Sequence, residues 1–200
     1  MTGILHVTSR TVAGCLPCHC LDEESTIKTL TDHLAQYAAY HRDPRNISTH
    51  FAGVPMIVLA VATLLSAPSF LVGGLPVSLA TLVTAATCAF YFRLDLRFGA
   101  VMTALLVVTL MVAHWLAGLT TVSWFTAGIG LFVVGWVIQF VGHYYEGKKP
   151  AFVDDIVGLL VGPLFLVAEA AFAFGLRREV QDAVEARVGK VRRRDSALSA

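Results

Sequence analysis

Five apolar stretches dominate this chain, at residues 51–70, 71–92, 99–119, 124–141 and 156–176. Each is about as long as the 17–25 residues a helix needs to cross a bilayer. Hydrocarbon offers no partner for backbone N–H and C=O groups, so a spanning segment must satisfy them itself, as a helix, or join a closed barrel. Continuous apolar runs of this length, without strict alternation, select helices. Composition agrees: 56% of the 200 residues are hydrophobic and 14% are charged, against about 45–50% and about 25% in a soluble domain. The sequence therefore predicts an all-α integral membrane protein.

Charge placement arranges the stretches. Arg42 and Arg45 precede the first, Arg93 and Arg97 follow the second, and Lys148 and Lys149 follow the fourth, whereas 70–75 and 120–123 carry no charge. Lys and Arg collect in cytoplasmic loops, so two transmembrane helical hairpins with their basic ends inside satisfy the pattern. Gly73, Gly74 and Pro76 mark the first turn. The fifth stretch does not fit a simple span. It would leave Arg177, Arg178 and Arg192 to Arg194 outside, and it contains Gly158, Gly162, Pro163 and Glu169. Pro163 is expected to break the helix, and Glu169 needs a cation or the interface. A broken, re-entrant or interfacial helix pair returning to the cytoplasmic side is the expectation. Asp154 and Asp155 suit its start.

An amphipathic helix is expected over 25–41, capped by Ser25, with Ile27, Leu30, Leu34 and Tyr37 or Ala38 at helical spacing. Pro44 forces a break before the next helix, and Asn46 is a candidate N-cap for it. Residues 1–24 show no period and read as a disordered leader. Its Cys15, Cys18 and Cys20 include a C-x-x-C-H pattern at Cys15 to His19 but lack the export route that haem attachment needs. Cys88 reads as a small apolar filler. The organisation is thus a leader at 1–24, a membrane-embedded domain at 25–178 and a charged tail at 179–200, helical over 180–194 and suited to solvent or anionic lipid. No signal-peptide pattern precedes the first stretch, which puts the N-terminus in the cytosol, in a bacterial inner membrane, or the endoplasmic reticulum if the source is eukaryotic. A net charge of +1 offers no field for nucleic acid. Membrane lipids are the expected surroundings.

Chemistry gathers at the basic ends. His50 opens the first apolar helix and His143 closes the fourth, while His41 stands across the proline turn. Gln139 and His143 are four apart and share a face. A lone histidine at a helix end is ordinarily an interfacial residue or a partner of the helix dipole. Three imidazoles at one depth, with Asp43, Asn46, Gln139 and Glu146 beside them, suit a metal instead. Neutral imidazole is the commonest metal ligand, and ligating rings usually donate their other N–H to a carboxylate, carbonyl or water. Glu146 is available in that supporting role or as a direct ligand, which would make a set suited to non-haem iron. His33 is a reserve ligand that reads more simply as a surface residue, and His114 reads as hydrogen-bonded to a helix neighbour. No nucleophile elbow, phosphate loop or Gly-x-Gly-x-x-Gly occurs.

Two motifs carry a resemblance over about residues 30–177. The first is Tyr40-His41-x-x-Pro44-x-Asn46-x-x-x-His50, followed by Gly53-x-Pro55. The second is Trp136-x-x-Gln139-Phe140-x-Gly142-His143, followed by Glu146-x-x-x-Pro150-Ala151. Together they resemble the family of membrane 2-hydroxy fatty acid dioxygenases, typified by an enzyme of yeast phytosphingosine breakdown. The resemblance implies Fe(2+)- and O2-dependent α-oxidation of a fatty-acyl lipid substrate, shortening it by one carbon. It makes His41, His50 and His143 both metal ligands and catalytic residues, with Asn46, Gln139 and Glu146 supporting the cofactor. The interval from His143 to Glu146 is one residue shorter than in the yeast member, which weighs against direct ligation by Glu146. The acyl chain would stay between helices, with its carboxylate and 2-hydroxyl at headgroup level. Arg42, Arg45, Lys148 or Lys149 would hold the carboxylate or simply set topology. A transporter or scaffold would instead need a polar path across the helices, and a di-iron hydroxylase more histidines than the seven present.

Overall fold

The computed structural model describes residues 28–151 and 157–194. The Cys-containing leader, Ser25, Asp154 and Asp155 lie outside them. Thr29, rather than Ser25, caps α1 (Leu30–Ala38), in a capping box with Asp32. α2 follows as Pro44–Leu65. Its cap is Asp43, not Asn46: the Asp43 carboxylate accepts from Arg45 N, and Pro44 takes the first helical position, where its missing N–H is not needed. The helix therefore starts seven residues before the apolar stretch. His50 lies in its second turn instead of opening it, with Asn46 one turn back on the same face.

The region predicted to begin a second spanning helix folds differently. Strands β1 (Ser69–Val72) and β2 (Leu75–Ser78) form an antiparallel hairpin. Gly73 and Gly74 connect them, both at positive φ (57° and 81°), which suits a two-residue hairpin turn. The described residues are thus helical with one small sheet, not all-α. The hairpin shortens the next helix: α3 (Leu79–Leu94) has 16 residues, too few for a full span. Asp95 ends α3 and its side chain caps α4 (Leu96–Ala117) through Phe98 N. α5 (Thr121–Glu146) runs 26 residues. It passes the expected end at 141 and stops only where Gly147 takes a left-handed conformation, φ 66°.

α6 (Gly158–Ala173) contains Pro163 without breaking. A proline near a helix start removes one bond and crowds one carbonyl, a local cost. The break comes later, at Gly175 (φ 70°) and Arg177 (φ 54°), after which α7 (Arg178–Val188) departs at 113°. The break expected at Pro163 within 156–176 is therefore absent; the bend instead joins α6 to the stretch expected to be tail. Arg177 holds that hinge against the α3–α4 junction, giving two hydrogen bonds to the Asp95 carboxylate (3.0 and 2.9 Å) and stacking over Phe98 at 4.7 Å. α7 is not a solvated tail: Val180 and Val184 are buried, it packs on α1, and Arg187 pairs with Asp32 at 2.5 Å.

Among the described residues, three helices, α2, α4 and α5, are long and apolar enough to cross a membrane, or four spans if the bent α6–α7 pair counts as one. Burial runs opposite to that of a soluble fold. Val101, Leu105, Val108, Met111 and Trp115 of α4 lie exposed, while His41, Asp43, Asn46, His50, Gln139, His143 and Glu146 are buried. The predicted hairpin partners are not the principal contacts: α2 packs chiefly on α5, and α3 on α4. Glycines every seven residues along α5 permit the first approach. A Cβ at Gly135 would lie 2.7 Å from Ile57 Cγ1, and one at Gly128 would lie 2.7 Å from Leu64 Cγ. Small residues let helix backbones close up where lipid supplies no hydrophobic drive.

Candidate metal centre

The α2–α5 contact brings the two motifs together. His50 from α2, His143 from α5 and His41 from the α1–α2 connection offer ligand nitrogens all within 4.8 Å of one another. The rings are 0%, 2% and 7% exposed for His41, His50 and His143. Their centroids are 4.6 Å apart for His41 and His50, and 5.1 Å for each of the other pairs.

Hydrogen bonds orient two of the rings. His41 Nδ1 lies 2.8 Å from Tyr37 O, and His50 Nδ1 lies 2.8 Å from Asn46 O. A carbonyl only accepts, so in the neutral rings both Nδ1 atoms carry hydrogen and both Nε2 atoms present lone pairs. Those two Nε2 atoms face each other at 3.1 Å. Two lone pairs at that distance repel unless a cation lies between them. Burial holds the His41 imidazole well below its ordinary value of 6.5, and the His50 and His143 rings push it the same way, so a proton is poorly accommodated there. A metal ion fits. Two nitrogens bound at right angles at about 2.1 Å lie about 3.0 Å apart. His143 offers a third ligand nitrogen to the cluster, and its Nδ1 is buried with no hydrogen-bond partner. The donor set accepts iron, zinc, copper or nickel.

Surrounding groups fix the rings. Tyr37 stacks on His41, with centroids 4.1 Å apart and planes within 6°, and Phe165 of α6 packs on both. Gly142 faces α2 side chains: a Cβ there would meet Thr49 Oγ1, Asn46 Oδ1 at 2.6 Å and His50 Nδ1 at 3.3 Å. Glu146 accepts from Arg42 N (3.1 and 2.9 Å), Asp43 N (2.8 Å) and Asn46 Nδ2 (3.1 Å). Its carboxylate is thus committed to the segment carrying His41. Asn46 Nδ2 also reaches Tyr40 O at 3.3 Å. Asn46 Oδ1 and Gln139 Oε1 are buried without partners.

The four cations considered for a substrate carboxylate have protein partners. Arg42 pairs with Glu169 at 3.3 Å and donates to Gly189 O at 3.0 Å, giving Glu169 the cation it was expected to need. Arg45 pairs with Asp43 at 2.8 Å and stacks on Tyr145. Lys148 Nζ donates to Ala39 O at 2.7 Å, and Lys149 is engaged as well. His33 is not among the clustered ligand atoms and packs edge-on to Phe90. His114 Nε2 meets Thr81 Oγ1 at 3.3 Å, so its partner is on α3 rather than its own helix. Sequence reading missed the contact of 189–194 with the His41 segment, where Arg192 N donates to Arg42 O (2.9 Å) and Arg194 N to Asp43 Oδ2 (3.0 Å). No local pattern signals such a contact.

A small cavity of about 60 Å³ adjoins the histidines, lined by His50, Gln139 and His143 together with Val54, Val58 and Pro163. The last three also line an apolar groove between α2, α4 and α6, with Met102, Leu105 and Leu106 along it.

Comparison with known proteins bears on this arrangement. A family model described as 2-hydroxy-palmitic acid dioxygenase Mpo1-like matches residues 27–174. The chain is 30% identical over 159 residues to the 2-hydroxy-palmitic acid dioxygenase MPO1 of Saccharomyces cerevisiae, covering 78% of this chain and 87% of that protein. No solved structure matches. The yeast relative is eukaryotic and lends no support to a bacterial inner membrane. The matched span contains all three clustered histidines and every helix from α1 to α6, and the chain belongs to the Mpo1-like family of 2-hydroxy-palmitic acid dioxygenases.

Proposed function

We propose that this chain is an iron-dependent membrane dioxygenase that shortens 2-hydroxy fatty acids by one carbon. The observation that carries the reading is the facing pair of Nε2 lone pairs on His41 and His50, 3.1 Å apart, with a ligand nitrogen of His143 in the same cluster. The yeast relative is named for its action on a 2-hydroxy fatty acid, and O2 chemistry calls for a redox-active ion, which zinc is not. Fe(II) would supply binding positions for O2 and for the oxygens of the acid. In the overall change the C1–C2 bond breaks and C2 becomes the new carboxyl carbon. With one O2 taken up, the balance is one shortened acid, one CO2 and one water.

The protein's share is placement and exclusion of water. His41, His50 and His143 hold the ion. Tyr37 and Asn46, through their carbonyls, keep the His41 and His50 rings in the tautomer that binds. Glu146 acts as a positioning residue, fastening the segment with His41 to α5. Phe165 and Tyr37 close the site to water from the α6 side. The groove past Val54, Val58 and Pro163 takes the acyl chain, whose burial is favourable by about 0.8 kcal/mol per CH2. We place the histidine end at the cytosolic headgroup level, because Arg42, Arg45, Lys148 and Lys149 cluster there.

The test is conversion of 2-hydroxyhexadecanoic acid by purified protein loaded with Fe(II). Pentadecanoic acid is the expected product, with activity reduced at least about 100-fold in each of His41→Ala, His50→Ala and His143→Ala. Full activity in all three variants would refute the reading.

A further inference from the structure

Gln139 lies on the face of α5 that carries His143, one turn away and deeper in the apolar stretch. It is 6% exposed, it lines the cavity with His50 and His143, and its Oε1 has no hydrogen-bond partner. A buried acceptor left bare is costly and needs an explanation. The side chain is also held in place. A Cβ at Gly53 would lie 3.2 Å from Gln139 Cγ and 3.3 Å from Cδ, so the bare backbone of α2 sets the floor on which the amide rests. Val54, Val58 and Pro163 line both this cavity and the apolar groove, which therefore lie side by side. An acid with its carboxylate at the histidines and its tail in that groove carries its second carbon beside Gln139.

On these grounds, and resting on the function proposed above, we propose that Gln139 is the specificity-determining residue that reads the substrate's 2-hydroxyl group. The hydroxyl donates to Gln139 Oε1. An unsubstituted fatty acid fills the same cavity but leaves the acceptor bare. Sites that hydrogen-bond a substrate hydroxyl reject the analogue lacking it much more strongly than apolar pockets reject a missing methylene.

The experiment is a cycle of two proteins and two acids, measured without O2 on Fe(II)-loaded chains. Dissociation constants for 2-hydroxyhexadecanoic and hexadecanoic acid are compared between the wild type and Gln139→Met, a variant of similar shape without the amide. The wild type should favour the hydroxy acid, and the preference should shrink about tenfold in the variant. Iron content should stay equal, and most of the change should fall on the hydroxy acid. A preference unchanged within about twofold, or loss of iron from Gln139→Met, would overturn the assignment; the latter would make Gln139 a holder of the metal. A second arm needs only the wild type. 2-Methoxyhexadecanoic acid, which cannot donate, should bind no better than hexadecanoic acid, and binding as tight as the hydroxy acid's would overturn the assignment. A wild type that takes up no iron would defeat the function proposed above, whereas one that binds iron and prefers the hydroxy acid equally with and without Gln139 defeats only this inference.

Discussion

At one end of the α2–α5 pair, Gly128 leaves room for Leu64, Ser66 Oγ donates to Ala62 O at 2.7 Å, and Trp124 Nε1 donates to Thr63 O at 2.6 Å. Two heptads away, at the other end, Gly142 leaves room for Thr49, Asn46 and His50. The same seven-residue glycine spacing serves both. At the first end the neighbour is a flexible aliphatic side chain, and only the Thr63 hydroxyl lacks a partner. At the second the neighbours are a hydroxyl, an amide and a ring already tied to backbone, and Asn46 Oδ1, Gln139 Oε1 and His143 Nδ1 are all bare. Close packing alone explains the first end. The second has polar capacity beyond what packing uses, which is the mark of a site that takes a ligand.

Exchanging the glycines breaks the comparison most sharply. Gly142→Ala should weaken Fe(II) binding by about 10- to 100-fold, because Asn46 and Thr49 must move and His50 with them. Gly128→Ala should leave Fe(II) binding unchanged and alter stability by less than about 1 kcal/mol, since Leu64 can turn aside and alanine favours the helix. Equal iron affinities in the two variants, measured by competition with a chelator, would erase the distinction. A smaller effect is expected of Glu146→Gln. The amide keeps one acceptor oxygen but turns an NH2 toward main-chain donors, so Fe(II) affinity should fall about tenfold and the thermal midpoint should drop. Unchanged affinity would mean that the His41 segment holds without its clamp.

The smallest effect is on pH. The folded metal-free protein keeps His41 neutral well below the ordinary 6.5, so below that pH the unfolded chain binds more protons and stability falls. This contribution is intact above about pH 6.5 and is lost as pH drops toward the folded value. For one proton the slope is at most about 1.4 kcal/mol per pH unit. His41→Gln should remove that part of the slope in detergent-solubilised unfolding; an identical slope would show that His41 is not held neutral.

The histidine end was the more legible of the two. Gln139 and His143 at i and i+4, and a proline turn between His41 and His50, set the imidazoles at one depth before any fold was known. Element ends were harder. Asp43 rather than Asn46 caps α2, because the rigid proline beside it is already in helical geometry. The fourth apolar stretch ends at 141 in sequence, yet α5 continues until Gly147. The Gly73-Gly74 pair was visible as a turn, but its flanking strands were absorbed into an apolar run. Helix partners had the weakest signal. In lipid both faces of a helix are apolar, so no amphipathic stripe tells α2 to seek α5. The glycine register at 128, 135 and 142 would have told it, and so would Gly53 opposite Gly135. The contact of 189–194 with the His41 segment is long-range and leaves no local trace.

Anaerobic titration of the purified wild type with Fe(II), read as metal bound per chain beside His50→Ala, tests most directly whether these imidazoles form one metal site. One Fe(II) per wild-type chain, with binding weakened at least about 100-fold in His50→Ala, is the predicted result. A wild type that binds none, or a variant that binds as tightly, would contradict it.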